Sequence, residues 1–193
     1  MGTTQPIREK EDLQLFINYY KDVKPHPRNH SLLVLGLHTA LRISDILLLK
    51  WDDIYDFEKD CFRNHIYLKE MKTGKKTMIA INSHVKSALT HYMETRITLP
   101  TDYIFTKTTD FSKPLNRTQA YRIVCRAATK ALHTEHISCH SLRKTFGYHA
   151  WKQGIQPVLL MDIFNHSSYE VTKKYLGIEQ DEKDDVFLNM SIL

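Results

Sequence analysis

The residues of this sequence that are best suited to chemistry include a histidine and an arginine in the segment "HSLR". His140 and Arg143 are three positions apart, so on a helix their side chains would lie on one face. This pair suits a phosphate, because a guanidinium offers a planar fork of donors and an imidazole can exchange a proton near neutral pH. The spacing alone is a weak signal, since the same pattern also occurs on ordinary protein surfaces.

Two tyrosines, Tyr169 and Tyr175, follow in the segment "FNHSSYEVTKKYLGI". A phenol has a reference pKa near 10, so only about one molecule in a thousand is ionised at neutral pH. A reactive tyrosine therefore needs a group that takes its proton and other groups that stabilise the charge on its target. His166 precedes this helix, and its neighbour Ser167 is expected to cap the helix that contains Tyr175.

Two further cations, Arg42 and Lys72, lie where an anion could bind. Arg42 is flanked by apolar residues in "TALRISDILLL", where an unpaired buried charge would cost several kcal/mol. Either Asp45, one helical turn later, pairs with it, or its guanidinium reaches an open cleft that takes an anion. Lys72 is at a predicted hairpin tip together with Lys75 and Lys76, and such a tip is either solvated or inserted into a nucleic-acid groove.

The elements that must position these residues are mostly helical. Apolar spacing predicts a helix in "REKEDLQLFINYYKDV", two buried helices joined at "HTALR", and a helix capped by Ser83. Asn116 and Gln119 have the spacing of a capping box that opens a further helix. In the last third of the chain, breaks at 154–157 and near Asn165 predict three more helices.

One segment departs from the helical pattern. In "HIYLKEMKTGKKTMIAI", apolar and polar residues alternate on both sides of "KTGKK", which predicts a β-hairpin. The predicted fold class is therefore mostly α with a small antiparallel β-sheet. The 193 residues contain no repeat and no low-complexity linker, so we expect a single domain.

Composition narrows the classes of partner and compartment. A formal net charge of +5 favours a polyanionic partner, although a basic surface is often only solvated. Cys61, Cys125 and Cys139 are odd in number and contain no CxxC pair, which argues against a disulfide framework and a zinc ribbon. The eleven histidines are dispersed, so no metal site is expected. No apolar run approaches the roughly 20 residues that span a bilayer, so we expect no membrane partner.

Taken in order, "ALRISDILLLKWDDI", "KTGKKTMIAI" and "HSLRKTFGYHAWKQGIQPVLLMDIFNHSSYEVTKKYL" closely resemble the catalytic domain of the tyrosine recombinases, the phage integrase family. The resemblance extends over residues 8–175 and implies the tyrosine recombinase catalytic-domain fold. One departure is that the usual Leu-Gly-His of the family is Phe164-Asn165-His166 in this chain. Because Asn tolerates a left-handed backbone better than most residues, we expect the turn to be kept.

The resemblance implies a role for each of the candidate residues. Six of them match catalytic positions of the family: Arg42, Lys72, His140, Arg143, His166 and the nucleophile Tyr175. Asp45 matches an acidic residue that supports the first arginine. Tyr175 is in the family's register after His166, whereas Tyr169 is expected to pack or to flank DNA. Four basic residues are expected to contact DNA: Lys75, Lys76, Arg117 and Lys144.

The function implied by the resemblance is that of a site-specific DNA recombinase or integrase. Such an enzyme cleaves and rejoins strands by transesterification through a 3′-phosphotyrosyl intermediate, in integration, excision or inversion, and needs no cofactor and no metal. The expected partners are a double-stranded DNA recombination site, further copies of the chain in a tetramer on DNA, and an accessory DNA-bending or excision factor. We expect a cytoplasmic, nucleoid-associated protein encoded by a bacterium or phage and serving a mobile element.

The domain organisation leaves alternatives open. We expect one catalytic domain over residues 1–193, with a flexible start at 1–8 and without the N-terminal core-binding domain that is common in the family. Residues 176–193 either dock on a neighbouring subunit or pack on their own domain through the apolar residues Val186, Phe187, Leu188, Met190 and Leu193. Two other functions also remain: a non-catalytic DNA-binding regulator of the same fold, and a relaxing enzyme like the type IB topoisomerases.

Overall fold

A computed structural model of the chain describes residues 4–190. The helices over this range are α1 (Lys10–Asn18), α2 (Pro27–Thr39), α3 (Ile43–Ile46), α4 (Ser83–Met93), α5 (Arg117–Ala131), α6 (Cys139–Lys152), α7 (Pro157–Phe164), α8 (Tyr169–Leu176) and α9 (Glu179–Asn189). A π-helical turn, Tyr19–Val23, extends α1, and a 3₁₀ turn, Trp51–Asp53, follows α3. The strands are β1 (Tyr55–Asp56), β2 (Cys61–Phe62), β3 (His65–Lys69) and β4 (Lys76–Ala80).

The predicted hairpin is confirmed as the antiparallel pair β3 and β4, with His65 opposite Ala80 and Lys69 opposite Lys76. Within residues 4–190 there is also a second small sheet, in which the antiparallel strands β1 and β2 pair. These strands have two residues each, which is too short for an alternating pattern to be visible in the sequence.

Helix α2 forms the centre of the main hydrophobic core. Leu32, Leu33 and Leu35 are completely buried, and the helix packs against α4 on one side and α6 on the other. Trp51 and Phe16 are also fully buried in this core. Since burying one such side chain contributes about 1.5–3 kcal/mol, this cluster fixes the frame on which the remaining elements rest.

A second, smaller core holds the C-terminal helices against α6. Its main members are Tyr148, Leu160, Phe164, Leu176 and Ile178. These residues come from α6, α7, α8 and the turn after α8. The helix that carries Tyr175 is therefore located by packing that is separate from the main core.

Most helix boundaries follow the sequence signals. The Asn116 and Gln119 capping box at the start of α5 is confirmed. The other two caps differ by one residue from the prediction. Asn82, not Ser83, accepts a hydrogen bond from Val85 N at 3.0 Å at the start of α4. Ser168, not Ser167, is the cap of α8, because its Oγ is the oxygen that faces the third amide of that helix.

Asn165 ends α7 in the left-handed conformation that we expected at this position, with φ 54° and ψ 50°. The amides of Asn165 and His166 donate to the carbonyls of Asp162 and Met161, at 3.1 Å and 2.9 Å. These two hydrogen bonds close the end of α7, and the chain turns back toward α6 after them.

Residues 4–8 are packed on the domain, in contrast to the flexible start expected for 1–8. Ile7 is 3% exposed, and its amide donates to Thr145 Oγ1 at 2.9 Å. Arg8 forms an ion pair with Asp181 of α9 at 2.9 Å. One buried apolar residue, together with these polar contacts, holds the segment on the domain, and residues 1–3 lie outside the described residues.

The second half of α9, a helix that apolar spacing did not predict, exposes its apolar residues. The relative exposures of Val186, Phe187, Leu188 and Met190 are 56%, 82%, 81% and 63%. These four side chains are thus mostly exposed, whereas Ile178 at the start of the same segment is completely buried, and docking on a neighbouring subunit stays a prediction. Leu193 lies outside the described residues.

Replacing Asn165 by alanine is expected to lower the free energy of unfolding by about 1 kcal/mol, because alanine in a left-handed conformation has no local hydrogen bond to offset its strain. Glycine at the same position is expected to change it by less than about 0.5 kcal/mol. Urea denaturation of the two variants measures the difference. Equal stability of both variants would contradict the conformational argument.

Gly147 of α6 is expected to tolerate no side chain. An added methyl carbon would lie 2.6 Å from Leu176 Cδ2 and 2.6 Å from Phe164 Cζ. We expect Gly147→Ala to lower the free energy of unfolding by about 1–3 kcal/mol and to shift the NMR signals of the Tyr175 ring, because α8 must move outward. Gly154→Ala is the control for the NMR signals: at φ 79° an alanine is strained and also costs about 1 kcal/mol, but no atom lies within 4 Å of its added methyl carbon. It should leave the Tyr175 signals in place.

Candidate active site

Arg143 is the most buried cation of the candidate site, with 4% of its surface exposed. It is on α6, and its guanidinium donates to the carbonyls of Ala40 and Phe164, the latter at 3.1 Å. Ala40 follows the end of α2 and Phe164 is the last residue of α7, so Arg143 joins the carbonyl ends of two helices. Burial lowers the pKa of Arg143, yet an arginine remains protonated in a protein.

Tyr175 of α8 is half-buried beside Arg143, and both side chains pack against the ring of Phe164. Its ring centroid lies 5.1 Å from that of His166 and 5.5 Å from that of Phe164. The ammonium of Lys144 is 5.2 Å from the centroid of the ring. Burial raises the pKa of Tyr175, and the positive charges of Arg143 and Arg42 oppose that rise only in part. The phenol is therefore neutral at neutral pH.

The other tyrosine of the segment, Tyr169, has different neighbours. Its hydroxyl donates to the carboxylate of Glu182 on α9, and the ammonium of Lys173 lies 5.4 Å from its ring centroid. Burial and the bond to Glu182 raise the pKa of Tyr169 well above its usual range. Tyr169 thus fixes α9 against α8, as expected for a packing residue.

His140 and His166 both have an imidazole pKa below the ordinary value. For His166 the causes are burial and then the charges of Arg143 and Arg42. Its Nδ1 is hydrogen-bonded to Thr172 Oγ1 at 3.0 Å, which fixes the orientation of the ring. His140 is more exposed than His166 and lies among several cations.

His140 is the second residue of α6 and is accessible to solvent. Partial burial lowers its pKa, and the nearby charges of Arg117, Lys144, Arg143 and Lys72 lower it further. A neutral imidazole at pH 7 can accept a proton.

Arg42 does not pair with Asp45, which was one of the two readings of its sequence context. Its Nη1 donates to Glu70 Oε2 at 2.5 Å, and its side chain is 19% exposed. Asp45 instead accepts the amide of Met71 through Oδ1, at 3.0 Å. Arg42 therefore combines a buried carboxylate partner with access to solvent.

The hairpin turn carries Lys72 as an exposed side chain, close enough to His140 to lower its pKa. Lys75 forms an ion pair with Asp162 of α7 at 2.6 Å, which connects the turn to the C-terminal helices. Lys76 is exposed at the start of β4. The turn therefore stands over the site with its middle lysine accessible.

The two remaining basic residues are placed differently from each other. Arg117 is exposed at the start of α5, near His140. Lys144 is half-buried, and its ammonium donates to the carbonyl of Thr4 at 2.7 Å. Burial lowers the pKa of Lys144. Of the predicted DNA-contacting residues, Lys76 and Arg117 are thus exposed, whereas Lys75 and Lys144 have partners within the chain.

Two polar residues in the site were missed by the sequence reasoning. Glu70 is 3% exposed, and Thr172 is completely buried. A signal for Glu70 exists, because it continues the inward face of β3 after Ile66 and Leu68, where a carboxylate needs a partner. Thr172 is one helical turn before Tyr175, but nothing in its spacing relates it to His166.

The described part of the chain contains neither a metal-binding cluster nor a membrane-spanning helix. Among residues 4–190, no group of three or more His, Cys, Asp or Glu side chains is arranged to hold a metal ion. Over the same residues, no helix has both the length and the apolar character needed to cross a membrane.

Comparison with known proteins gives consistent results. The sequence model of the "Phage integrase family" matches residues 7–182. The chain is 38% identical over 181 residues to the "Probable integrase/recombinase YoeC" of Bacillus subtilis, covering 94% of this chain and 93% of that protein. It is 26% identical over 152 residues to the "Type 1 fimbriae regulatory protein FimE" of Escherichia coli, covering 77% of this chain and 73% of that protein.

Solved structures share the fold. The crystal structure of XerA recombinase matches with a TM-score of 0.75 at 17% identity, over 100% of this chain and 68% of that one. The post-cleavage complex of XerH recombinase with its palindromic difH substrate matches with a TM-score of 0.73 at 21% identity, over 97% of this chain and 54% of that one. The mostly helical fold predicted from the sequence is thereby confirmed. With a family match over most of its length and a relative at 38% identity, the chain belongs to the phage integrase family, the tyrosine recombinases.

Proposed function

We propose that this tyrosine recombinase cleaves and rejoins DNA at a specific site through a 3′-phosphotyrosyl intermediate, in integration, excision or inversion. The observation that carries the proposal is the place of Tyr175, whose ring packs on Phe164 and His166 beside the buried guanidinium of Arg143. A phenol held against a cation, and a neutral imidazole among cations at His140, are the parts that a phosphoryl transfer needs. The relative YoeC, a probable integrase/recombinase, and the XerH site-specific recombinase, which shares the fold, support this function.

The proposed roles follow from charge and exposure. Arg42 and Arg143 hold the two nonbridging oxygens of the scissile phosphate, and His166 donates a further hydrogen bond. His140 accepts the proton of the Tyr175 hydroxyl. In this arrangement Asp45 supports the hairpin turn by binding the amide of the residue before Lys72.

The chemical step is a balanced exchange of one ester for another. The oxygen of Tyr175 forms a bond to phosphorus while the bond from phosphorus to the 5′-oxygen breaks. The phenol proton passes to His140, and Lys72 supplies a proton to the leaving 5′-hydroxyl. In the reverse step a 5′-hydroxyl attacks the phosphotyrosine and releases Tyr175. Since the ester bond is conserved throughout, the exchange needs no ATP.

DNA binding is proposed to use the basic residues around this site. Lys76 and Arg117 are exposed and available to backbone phosphates. Lys75 and Lys144 are available only if they exchange their partners, Asp162 and the carbonyl of Thr4, for phosphate oxygens. We therefore expect the hairpin turn and the N-terminal segment to adjust when DNA binds.

The assembly is proposed to be a tetramer on two DNA duplexes, built from one catalytic domain per chain. The exposed apolar half of α9, which includes Phe187 and Leu188, supports docking of this helix on a neighbouring subunit. An accessory DNA-bending or excision factor and a cytoplasmic, nucleoid-associated location belong to the same proposal.

A second candidate is a DNA-binding regulator of the same fold. It is favoured by the name of the relative FimE, which is called a regulatory protein. A relaxing enzyme like the type IB topoisomerases would share the nucleophile but would reseal the same strand. Formation of a covalent adduct would exclude the non-catalytic regulator. Strand exchange between two different duplexes would exclude the relaxing enzyme.

Tyr175→Phe is expected to abolish the covalent adduct on a nicked duplex that carries sequence from the flanks of the encoding gene. The reason is that Tyr175 lies beside Arg143, whereas the hydroxyl of Tyr169 donates to Glu182. We expect a loss of more than about 1,000-fold, measured on denaturing gels. Tyr169→Phe, which removes the other phenol of the segment, is the control and should form the adduct at nearly the wild-type rate. Persistence of the adduct in Tyr175→Phe would refute the assignment of the nucleophile.

The rate of adduct formation is expected to depend on the ionisation of His140. Because the pKa of His140 lies below its ordinary value, the imidazole is neutral at pH 7, and the rate should fall only as the pH drops through that lowered pKa. Protonated His166 would still donate to the phosphate, so it should not cause the same loss. Single-turnover rates between about pH 5 and pH 8 test this.

In that measurement His140→Gln should be slow at every pH and should lack the acidic decline. The control is His91→Gln, since His91 is an exposed residue of α4, and this variant should keep the wild-type profile. A wild-type rate that increases toward pH 5 would contradict the assignment of His140 as the base.

A further inference from the structure

We propose that Glu70 is a positioning residue of the active site, whose carboxylate orients the guanidinium of Arg42 and connects it to the turn that carries Lys72. This inference rests on the function proposed above for Arg42 and Lys72. Glu70 follows the last residue of β3 and is 3% exposed. It touches no reacting atom itself and acts through the two cations.

The carboxylate of Glu70 is held by donors on both of its oxygens. Oε2 accepts from Arg42 Nη1 at 2.5 Å and from Thr73 Oγ1 at 2.7 Å, and Oε1 is 3.5 Å from Thr77 Oγ1. Burial by itself raises the pKa of Glu70, but the bonds from Thr73 and Arg42 outweigh it and keep the pKa below its usual value. Glu70 is therefore a fixed negative charge at neutral pH.

Arg42 depends on this one carboxylate for its orientation. Among residues 4–190, the bond to Glu70 is the only hydrogen bond of its guanidinium. Asp45 is not a substitute, because its Oδ1 accepts the amide of Met71, and its buried Oδ2 has no partner within the described chain. A guanidinium has five donors in a fixed plane, so anchoring one nitrogen leaves the others for a phosphate.

The same carboxylate also fixes the turn around Lys72. Thr73, the residue after Lys72, donates to Glu70 through its hydroxyl. The amide of Gly74 donates to the carbonyl of Glu70 at 2.8 Å, and the amide of Glu70 donates to the carbonyl of Lys75 at 2.9 Å. Arg42 and Lys72 therefore share one support. This support fixes the position of Arg42, the proposed phosphate-binding cation, relative to Lys72, the proposed acid.

A different role for Glu70 would be to occupy the place of the scissile phosphate and thus to inhibit the free enzyme. The contacts favour positioning, because Thr73 and Thr77 hold the carboxylate from within its own hairpin and bury it. A competitor must leave when DNA binds, and Glu70 could leave only by giving up these bonds. The two roles predict opposite effects when the charge is removed.

Glu70→Gln keeps the shape of the side chain but removes its charge and replaces one acceptor oxygen by a donor. We expect the single-turnover rate of adduct formation at saturating DNA to fall by about 10- to 100-fold, because Arg42 and Lys72 lose their common support. We expect the affinity for the DNA site to stay the same or to become tighter, because a negative charge has been removed near the phosphates. A general folding defect would instead weaken both.

Glu58→Gln is the matched control, because Glu58 is exposed in the turn between β1 and β2 and the substitution makes the same change of charge. It should leave the rate unchanged. A rate of Glu70→Gln equal to that of the control would overturn the inference while leaving the proposed function intact. A faster rate would also overturn it, in favour of the competitor role.

A measurement without DNA tests the role of Glu70 independently of catalysis. If the wild-type protein formed no adduct, that result would count against the proposed function alone, and this measurement would still decide the inference about Glu70. In ¹⁵N NMR of the arginine side chains, the Nη protons of Arg42 should give a distinct signal, slowed in rotation by the bond to Glu70. The signal should broaden or vanish in Glu70→Gln and persist in Glu58→Gln. An unchanged signal in Glu70→Gln would show that Glu70 does not orient Arg42.

Discussion

The burial of Arg143 is the constraint on which the rest of the site depends. A guanidinium with only 4% of its surface exposed must have acceptors around it, since an uncompensated buried charge would be strongly destabilising. The acceptors are the carbonyls that follow α2 and end α7, where each helix has its partial negative charge. The ends of these helices must therefore meet at α6. Tyr175 and His166 lie close to that meeting point.

The site is poised rather than reactive in the free protein. Burial holds the phenol of Tyr175 in its neutral form, and neighbouring cations hold His140 and His166 in theirs. The two arginines of the site are held differently: Arg42 pairs with the buried carboxylate of Glu70, whereas Arg143 donates to backbone carbonyls. Because one carboxylate engages a single nitrogen of Arg42, the guanidinium of Arg42 keeps further donors that a monoanionic DNA phosphate can take under the proposed function.

The sequence was sufficient for the elements whose signals are local. The capping box at Asn116, the hairpin around Lys72 and the left-handed end at Asn165 each depend on residues within one turn of each other, and the structure has all three. The candidate site residues could be selected by their chemical type and their order along the chain, because both match the pattern of the family. The caps at Asn82 and Ser168 were missed by one residue, since adjacent polar residues compete for the same amide.

What the sequence could not provide are contacts between distant segments. The pairing of Arg42 with Glu70 rather than Asp45 depends on where β3 ends in space, and Lys144 meets Thr4 across most of the chain. The exposure of the apolar residues of α9 also could not be predicted, because the sequence pattern of a short helix is the same whether its apolar residues face a core or a partner. Helix α6 shows a related limit at Gly147. There the backbone of the Arg143 helix lies against the side chains of Leu176 and Phe164, and a Cβ added at Gly147 would lie 2.6 Å from each. The spacing between α6 and α8, and with it the position of Tyr175, therefore depends on a residue without a side chain.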